Sequence, residues 1–157
     1  MAFGAKELID GVRSARANFL KHIEGVSADQ TTWKPYDPCK TINETLDHLR
    51  WSDRAALDLL QTGAQPDYTT APGLPPAESF DRLRAELIVS HAALLAYLEE
   101  TYGDKPLDTS VNFWGHPTAL GTMLAAIQNE EGYHTGQVSY IRQATDPSWD
   151  YYAAIYG

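Results

Sequence analysis

The chain has a single cysteine, Cys39, which excludes an intramolecular disulfide and any cysteine-rich zinc site. Basic residues are also few. Twelve Lys and Arg stand against 21 Asp and Glu, a formal net charge of −9. That balance argues against nonspecific nucleic-acid binding, which needs clustered cations, and against docking on an anionic membrane surface. No apolar run approaches the ~18 residues of a membrane span. The opening residues, Met1-Ala-Phe-Gly-Ala-Lys-Glu7, lack the basic start and apolar stretch of a signal peptide. A cytoplasmic location is therefore expected. Repeats, low-complexity stretches and a dividing linker are missing too, so residues 1–157 are expected to form one domain, long enough to bury a core. No segment reads as a strand.

What is present is helical periodicity. Leu8, Ile9, Val12, Phe19, Leu20 and Ile23 share related faces of a helix over residues 5–23. Ser27-Ala-Asp-Gln30 reads as a capping box opening a short turn, and Trp33-Lys-Pro-Tyr-Asp-Pro38 as an extended connector. A second capping box, Thr41-Ile-Asn-Glu44, starts a helix that carries Ile42, Leu46, Leu49, Ala56, Leu57 and Leu60 and stops near Gly63. A Pro- and Gly-rich loop runs through Pro76. The third long helix covers residues 77–102, with Leu83, Leu87, Leu94, Leu95 and Leu98 inward and Gly103 as its C-terminal cap. Residues 104–117 show no periodicity. The fourth long helix runs from about Thr118 to Ala144. Four long helices without a βαβ pattern predict an all-α fold, a four-helix bundle. The tail aromatics Trp149, Tyr151, Tyr152 and Tyr156 exceed what a free end exposes. They are expected to pack on the bundle or on a partner, and a homodimer is the expected assembly.

The chemistry concentrates in the last long helix. At ~100° per residue, Glu130, Glu131 and His134 fall on the same face as Met123, Leu124, Ile127, Val138 and Ile141, with Gln137 at its edge. Ionisable groups on an apolar stripe are costly unless paired or coordinated. Glu130 and His134 are four apart and project together, so they offer two ligands to one ion or form an ion pair without metal. His48 lies at the margin of its helix's stripe, either as a third ligand or as a hydrogen-bonded packing residue. Two imidazoles and one carboxylate would leave coordination positions open. Glu131 reads as a group beside the metal or a catalytic base, or as the partner of an arginine such as Arg142 or Arg50. His116 reads as a surface loop residue above this end of the helix, His22 and His91 as packing or surface residues, and Cys39 as incidental.

The pairing of Thr41-Ile-Asn-Glu-Thr-Leu-Asp-His48-Leu49 with Glu130-x-x-x-His134-x-Gly136-Gln137 resembles the DinB-like family of metal-binding four-helix bundles. The order of features agrees along nearly the whole chain: a helix, a Trp-Lys-Pro connector, a helix with one His, a long helix, and a last helix with His-x-Gly-Gln and a Tyr140-Ile-Arg142 run. The resemblance implies a divalent metal (Zn, Ni, Mn or Fe) held by His48, Glu130 and His134. Glu130 stands where the family usually has its other His, which hardens the ligand set and favours manganese or iron. Related members include thiol-dependent S-transferases, isomerases and proteins described as metal-dependent hydrolases. The resemblance therefore implies a small-molecule substrate, with a low-molecular-weight thiol as co-substrate. The alternative is a non-catalytic binding module with a degenerate site. Nothing in so acidic a chain points to a polymerase or DNA-binding role.

Overall fold

The long helices form where apolar spacing and capping chemistry place them. The computed structural model describes residues 4–65 and 79–157. Helix α1 spans Ala5–His22, the short α2 Ala28–Thr32, α3 Ile42–Thr62 and α4 Phe80–Tyr102. Both capping boxes are made. Ser27 Oγ accepts from the Gln30 N–H, and Thr41 Oγ1 accepts from the Glu44 N–H while Glu44 returns a carboxylate to the Thr41 N–H at 2.7 Å. Helix α3 ends at Gly63 with φ 72°, a left-handed turn that glycine adopts without steric cost. Gly103 also ends its helix, but at φ −52°, so it uses none of that freedom. The expected Pro- and Gly-rich loop and helix start at Ala77 lie outside the described residues. Within them, α4 begins behind Ser79, whose Oγ accepts from the Arg82 N–H.

The segment expected to lack structure forms a hairpin instead. Strand β1, Ser110–Phe113, pairs antiparallel with β2, His116–Ala119, with Phe113 opposite His116. Only Trp114 and Gly115 remain in the turn, at φ 50° and 81°. Two consecutive positive φ values make the tight turn whose twist suits a two-residue hairpin. Glycine accepts this freely, whereas a tryptophan there costs about 1 kcal/mol. The hairpin also shifts the next helix: Thr118 lies in β2, and α5 spans Leu120–Thr145. The first N–H groups of α5 are met by the carbonyls of Thr109 and Leu107, at 2.8 and 2.9 Å, in place of a side-chain cap.

Helix α1 packs chiefly on α5, and α3 on α4. The apolar core has two parts. One, near the hairpin, gathers Ile9, Val12, Leu94, Leu98, Phe113, Met123 and Leu124. The other gathers Phe19, Ile23, Ile42, Leu46, Leu49, Leu87, Val138 and Ile141. Between them lies a buried polar layer to which each long helix contributes: Arg16, Asp53, Ser90 with His91, and Glu131. The tail forms α6, Tyr151–Tyr156, capped by Asp150 and lying on α1. Ile155 is buried, Trp149 takes the Arg142 guanidinium over its ring at 4.4 Å, and Tyr152 and Tyr156 remain exposed. Among the described residues no helix is long and apolar enough to cross a membrane.

Candidate metal centre

Two helices build the site. His48 sits in the second turn of α3, and Glu130 and His134 sit one turn apart on α5. Their side chains converge. Glu130 Oε1 lies 2.8 Å from His48 Nε2 and 3.1 Å from His134 Nε2, and the imidazole centroids are 4.9 Å apart. The three potential ligand atoms lie within 4.8 Å of one another. Exposure grades across the group: His134 is buried, whereas His48 and Glu130 keep 30% and 43% of their side-chain surface, leaving a face open to an incoming molecule.

The electrostatics favour a neutral imidazole and an ionised carboxylate. Burial is the largest influence on His134 and, with His48 nearby, holds its pKa below the ordinary histidine value despite Gln137 and Glu130. Burial pushes the Glu130 carboxyl upward, but hydrogen bonding and charge from His48 and His134 outweigh it and hold the group below the usual range. Both are the protonation states a metal ligand needs. Gln137, at the edge of the stripe, turns its Oε1 to His134 Nδ1 at 2.7 Å. A partner there holds the ring with Nε2 turned to the cluster, the usual orientation of a ligating histidine. The donor set therefore fits a divalent ion.

The adjacent carboxylate serves another group. Glu131 turns into the polar layer, where Arg16 Nε donates to its Oε2 at 2.8 Å and Arg16 Nη2 to its Oε1. Its partner is thus Arg16, not Arg142 or Arg50. Arg142 donates to the carbonyls of His22 and Glu24, and Arg50 pairs with Asp47 and Glu86. Arg16 also donates to Asp53 Oδ2 at 3.0 Å; Ser90 Oγ donates to the same oxygen, and His91 Nδ1 lies 3.3 Å from Asp53 Oδ1. Asp53, His91 and Glu131 have metal-ligand spacing as well, all buried. There the guanidinium already stands between the two carboxylates as their cation.

This polar layer was missed in reading the sequence, although its signal was present. The α1 stripe runs Ile9, Val12, Arg16, Phe19, Ile23, and the α3 stripe Leu46, Leu49, Asp53, Ala56, Leu60, in steps of three and four. A charged residue at an apolar position on each helix marks a pair across the core. His91, read as packing or surface, is buried against Asp53. His22 is buried against Trp149 and Tyr151, His116 is exposed on β2, and Cys39 is half-buried in the connector before α3.

A cavity of about 390 Å3 opens beside the cluster. His48 and Glu130 line it together with Asp53 and Glu131, the aromatic rings of Trp51, Phe113 and Trp114, and the apolar surfaces of Leu49, Ala56, Leu94, Ala126 and Ile127. Trp114 reaches it because the tight turn holds that residue over α3, with its ring parallel to Trp51 at a centroid distance of 6.3 Å. No curated protein matches the chain closely. The DinB superfamily profile matches residues 12–138, a stretch that includes His48, Glu130 and His134 and most of the bundle. The chain belongs to the DinB superfamily.

Proposed function

We propose that the protein is a metal-dependent enzyme acting on a small molecule, in which His48, Glu130 and His134 hold one divalent cation. The observation that carries this reading is the convergence of His48, Glu130 and His134, whose ligand atoms lie within 4.8 Å of one another. Gln137 Oε1 meets His134 at Nδ1, and the Nε2 of that ring is turned to the Glu130 carboxylate 3.1 Å away. A proton or a metal cation stands between that nitrogen and the oxygen, and burial disfavours the doubly protonated imidazole. When bound, a divalent cation lowers the pKa of a coordinated thiol or water and so supplies a nucleophile near neutral pH.

The remaining tasks fall to this chain's own residues. Gln137 holds the His134 ring in place. The open side of His48 and Glu130 admits the reactant, and the apolar walls exclude water from the cavity. Glu131 acts as a fixed anion and not as a proton acceptor, because Arg16 engages both of its oxygens. The reaction class supported best is transfer of a low-molecular-weight thiol to an electrophile, or hydrolysis where water takes the thiol's place. Elemental analysis of protein purified without an affinity tag or chelator is expected to give about one divalent ion per chain, and His134→Ala to lose it. Metal-loaded protein is then expected to turn over a thiol–electrophile pair or an ester, and His48→Ala to abolish turnover. Equal metal in wild type and His134→Ala would replace this reading with a non-catalytic binding module, its triad held by hydrogen bonds alone.

A further inference from the structure

Several hydroxyls inside the long helices are spent on the backbone. Thr45, Thr62, Thr135 and Ser139 each donate to the carbonyl four residues earlier, an ordinary use of a hydroxyl in a helix interior. Ser52 differs. It stands in the middle of α3, half-buried, and makes no hydrogen bond among the described residues. Its side chain lines the cavity beside the metal centre. His48, four residues earlier on the same helix, lines it too, so the two side chains project from one face of α3 about a turn apart.

The other polar side chains of the cavity wall are in use. Asp53 and Glu131 accept from Arg16, and Asp53 also accepts from Ser90. His48 and Glu130 meet one another in the candidate metal centre. The indoles of Trp51 and Trp114 are engaged as well. Among the described lining residues, Ser52 is the one whose hydrogen-bonding group is uncommitted.

That division of the wall narrows the guest. The buried acids are already held by Arg16, so they call for no further charge. Leu49, Ala56, Leu94, Phe113, Ala126 and Ile127 supply apolar surface. A volume of about 390 Å3 suits a compact molecule. An oxygen acceptor on such a molecule loses its water on entry, and burying it without a hydrogen bond is costly. The ionised carboxylates cannot relieve that cost, because they are acceptors themselves. The Ser52 hydroxyl can, because it is a donor with no partner among the described residues.

We propose that Ser52 is a substrate-binding residue whose hydroxyl donates to the oxygen of a compact, neutral carbonyl compound, the apolar body of which lies against Ala56, Leu94 and Ile127. The contact names the electrophile class of the proposed enzyme. It rests on that reading only for the claim that the bound molecule is turned over, since the hydrogen bond itself needs no metal.

The test uses acetophenone and isopropenylbenzene, which have nearly the same shape and differ in that the carbonyl oxygen of the first is a methylene in the second. Binding to chelator-treated protein is followed by ligand-detected NMR titration, so the outcome is independent of the metal centre. Ser52→Ala is expected to weaken acetophenone about three- to tenfold and to leave isopropenylbenzene within about twofold. A merely structural role for Ser52 would move both probes together. Ala126→Leu narrows the cavity from α5 and should weaken both, with thermal unfolding reporting whether the fold persists. Should that variant unfold, the Ser52→Ala comparison still decides. A failed metal centre shows instead as protein that takes up no metal while these affinities stand. Wild type that binds neither probe, an equal change of both probes in Ser52→Ala, or binding that survives a folded Ala126→Leu overturns the proposal.

Discussion

Among its described residues the bundle holds two histidine–carboxylate groups of similar geometry, separated by a single residue step on α5. Glu130 faces His48 and His134 at the edge of the bundle; Glu131 faces Arg16, Asp53 and His91 inside it. The inner group is nine-tenths or more buried and contains its own cation, a guanidinium hydrogen-bonded to both carboxylates. The outer group is partly open and contains no Lys or Arg. A fixed guanidinium makes the inner group a structural tie across four helices, because its charges cannot be separated without stranding one in a low dielectric. The outer group lacks such a tie, and its donors are free to exchange partners. Similar residue types thus give a joint in one place and a candidate binding centre in the other, and the deciding variable is whether a cation is built into the chain.

That contrast can be broken most directly at Arg16. Arg16→Met strands Asp53 and Glu131 in the core and is expected to cost about 3–5 kcal/mol, a large part of the stability of a domain this size. Glu130→Ala, at the half-exposed group, should cost less than about 1 kcal/mol in urea unfolding. Comparable losses in the two variants would erase the distinction between joint and centre. The next effect lies in metal affinity. Gln137→Leu removes the acceptor that orients His134 and should weaken binding about 10–100-fold by calorimetry, with little change in the unfolding midpoint. Glu130→His should then move selectivity toward nickel and zinc relative to manganese, because imidazole is the softer donor; an unchanged ratio of zinc to manganese affinity would mean that Glu130 is no ligand.

The smallest effect concerns pH. His22 has its pKa lowered first by burial, then by Arg142 and Lys21, against a raising hydrogen bond donated to the Asn18 carbonyl, and His134 is lowered as well. A folded-state pKa below the unfolded value means the unfolded chain binds more protons between the two. Stability from these groups is therefore complete above about pH 6.5 and lost as pH falls from there. The urea midpoint should decline between pH 7.5 and 5.5, and His22→Leu should lessen that decline. A steeper fall in the variant would contradict the assigned direction.

The long helices were legible because their apolar residues recur in steps of three and four and their ends carry side-chain caps, both local properties. Ser27 with Gln30, Thr41 with Glu44, and Gly63 act within a few residues of where they stand. The hairpin was not legible. Its turn is Trp-Gly instead of the usual Asn-Gly, and its strands are four residues each, too short for alternation to declare itself; Gly115 between Phe113 and Thr118 was the faint signal. The candidate ligands His48, Glu130 and His134 could be nominated from spacing and resemblance, and their convergence is a fact of how α3 meets α5.

The sequence by itself determined the helix-rich bundle, those helix ends that carry side-chain caps, and which face of α5 carries the ionisable residues, since periodicity and capping are short-range. Only the tertiary structure decided that adjacent glutamates serve different groups. Neighbouring positions on a helix point ~100° apart, so Glu130 and Glu131 meet different neighbours, and which neighbours those are depends on the packing of residues far apart in the chain. Arg16 lies 115 positions from Glu131, and no local pattern joins them. The cost of leaving either charge unpaired in the core brings them together once the helices have packed.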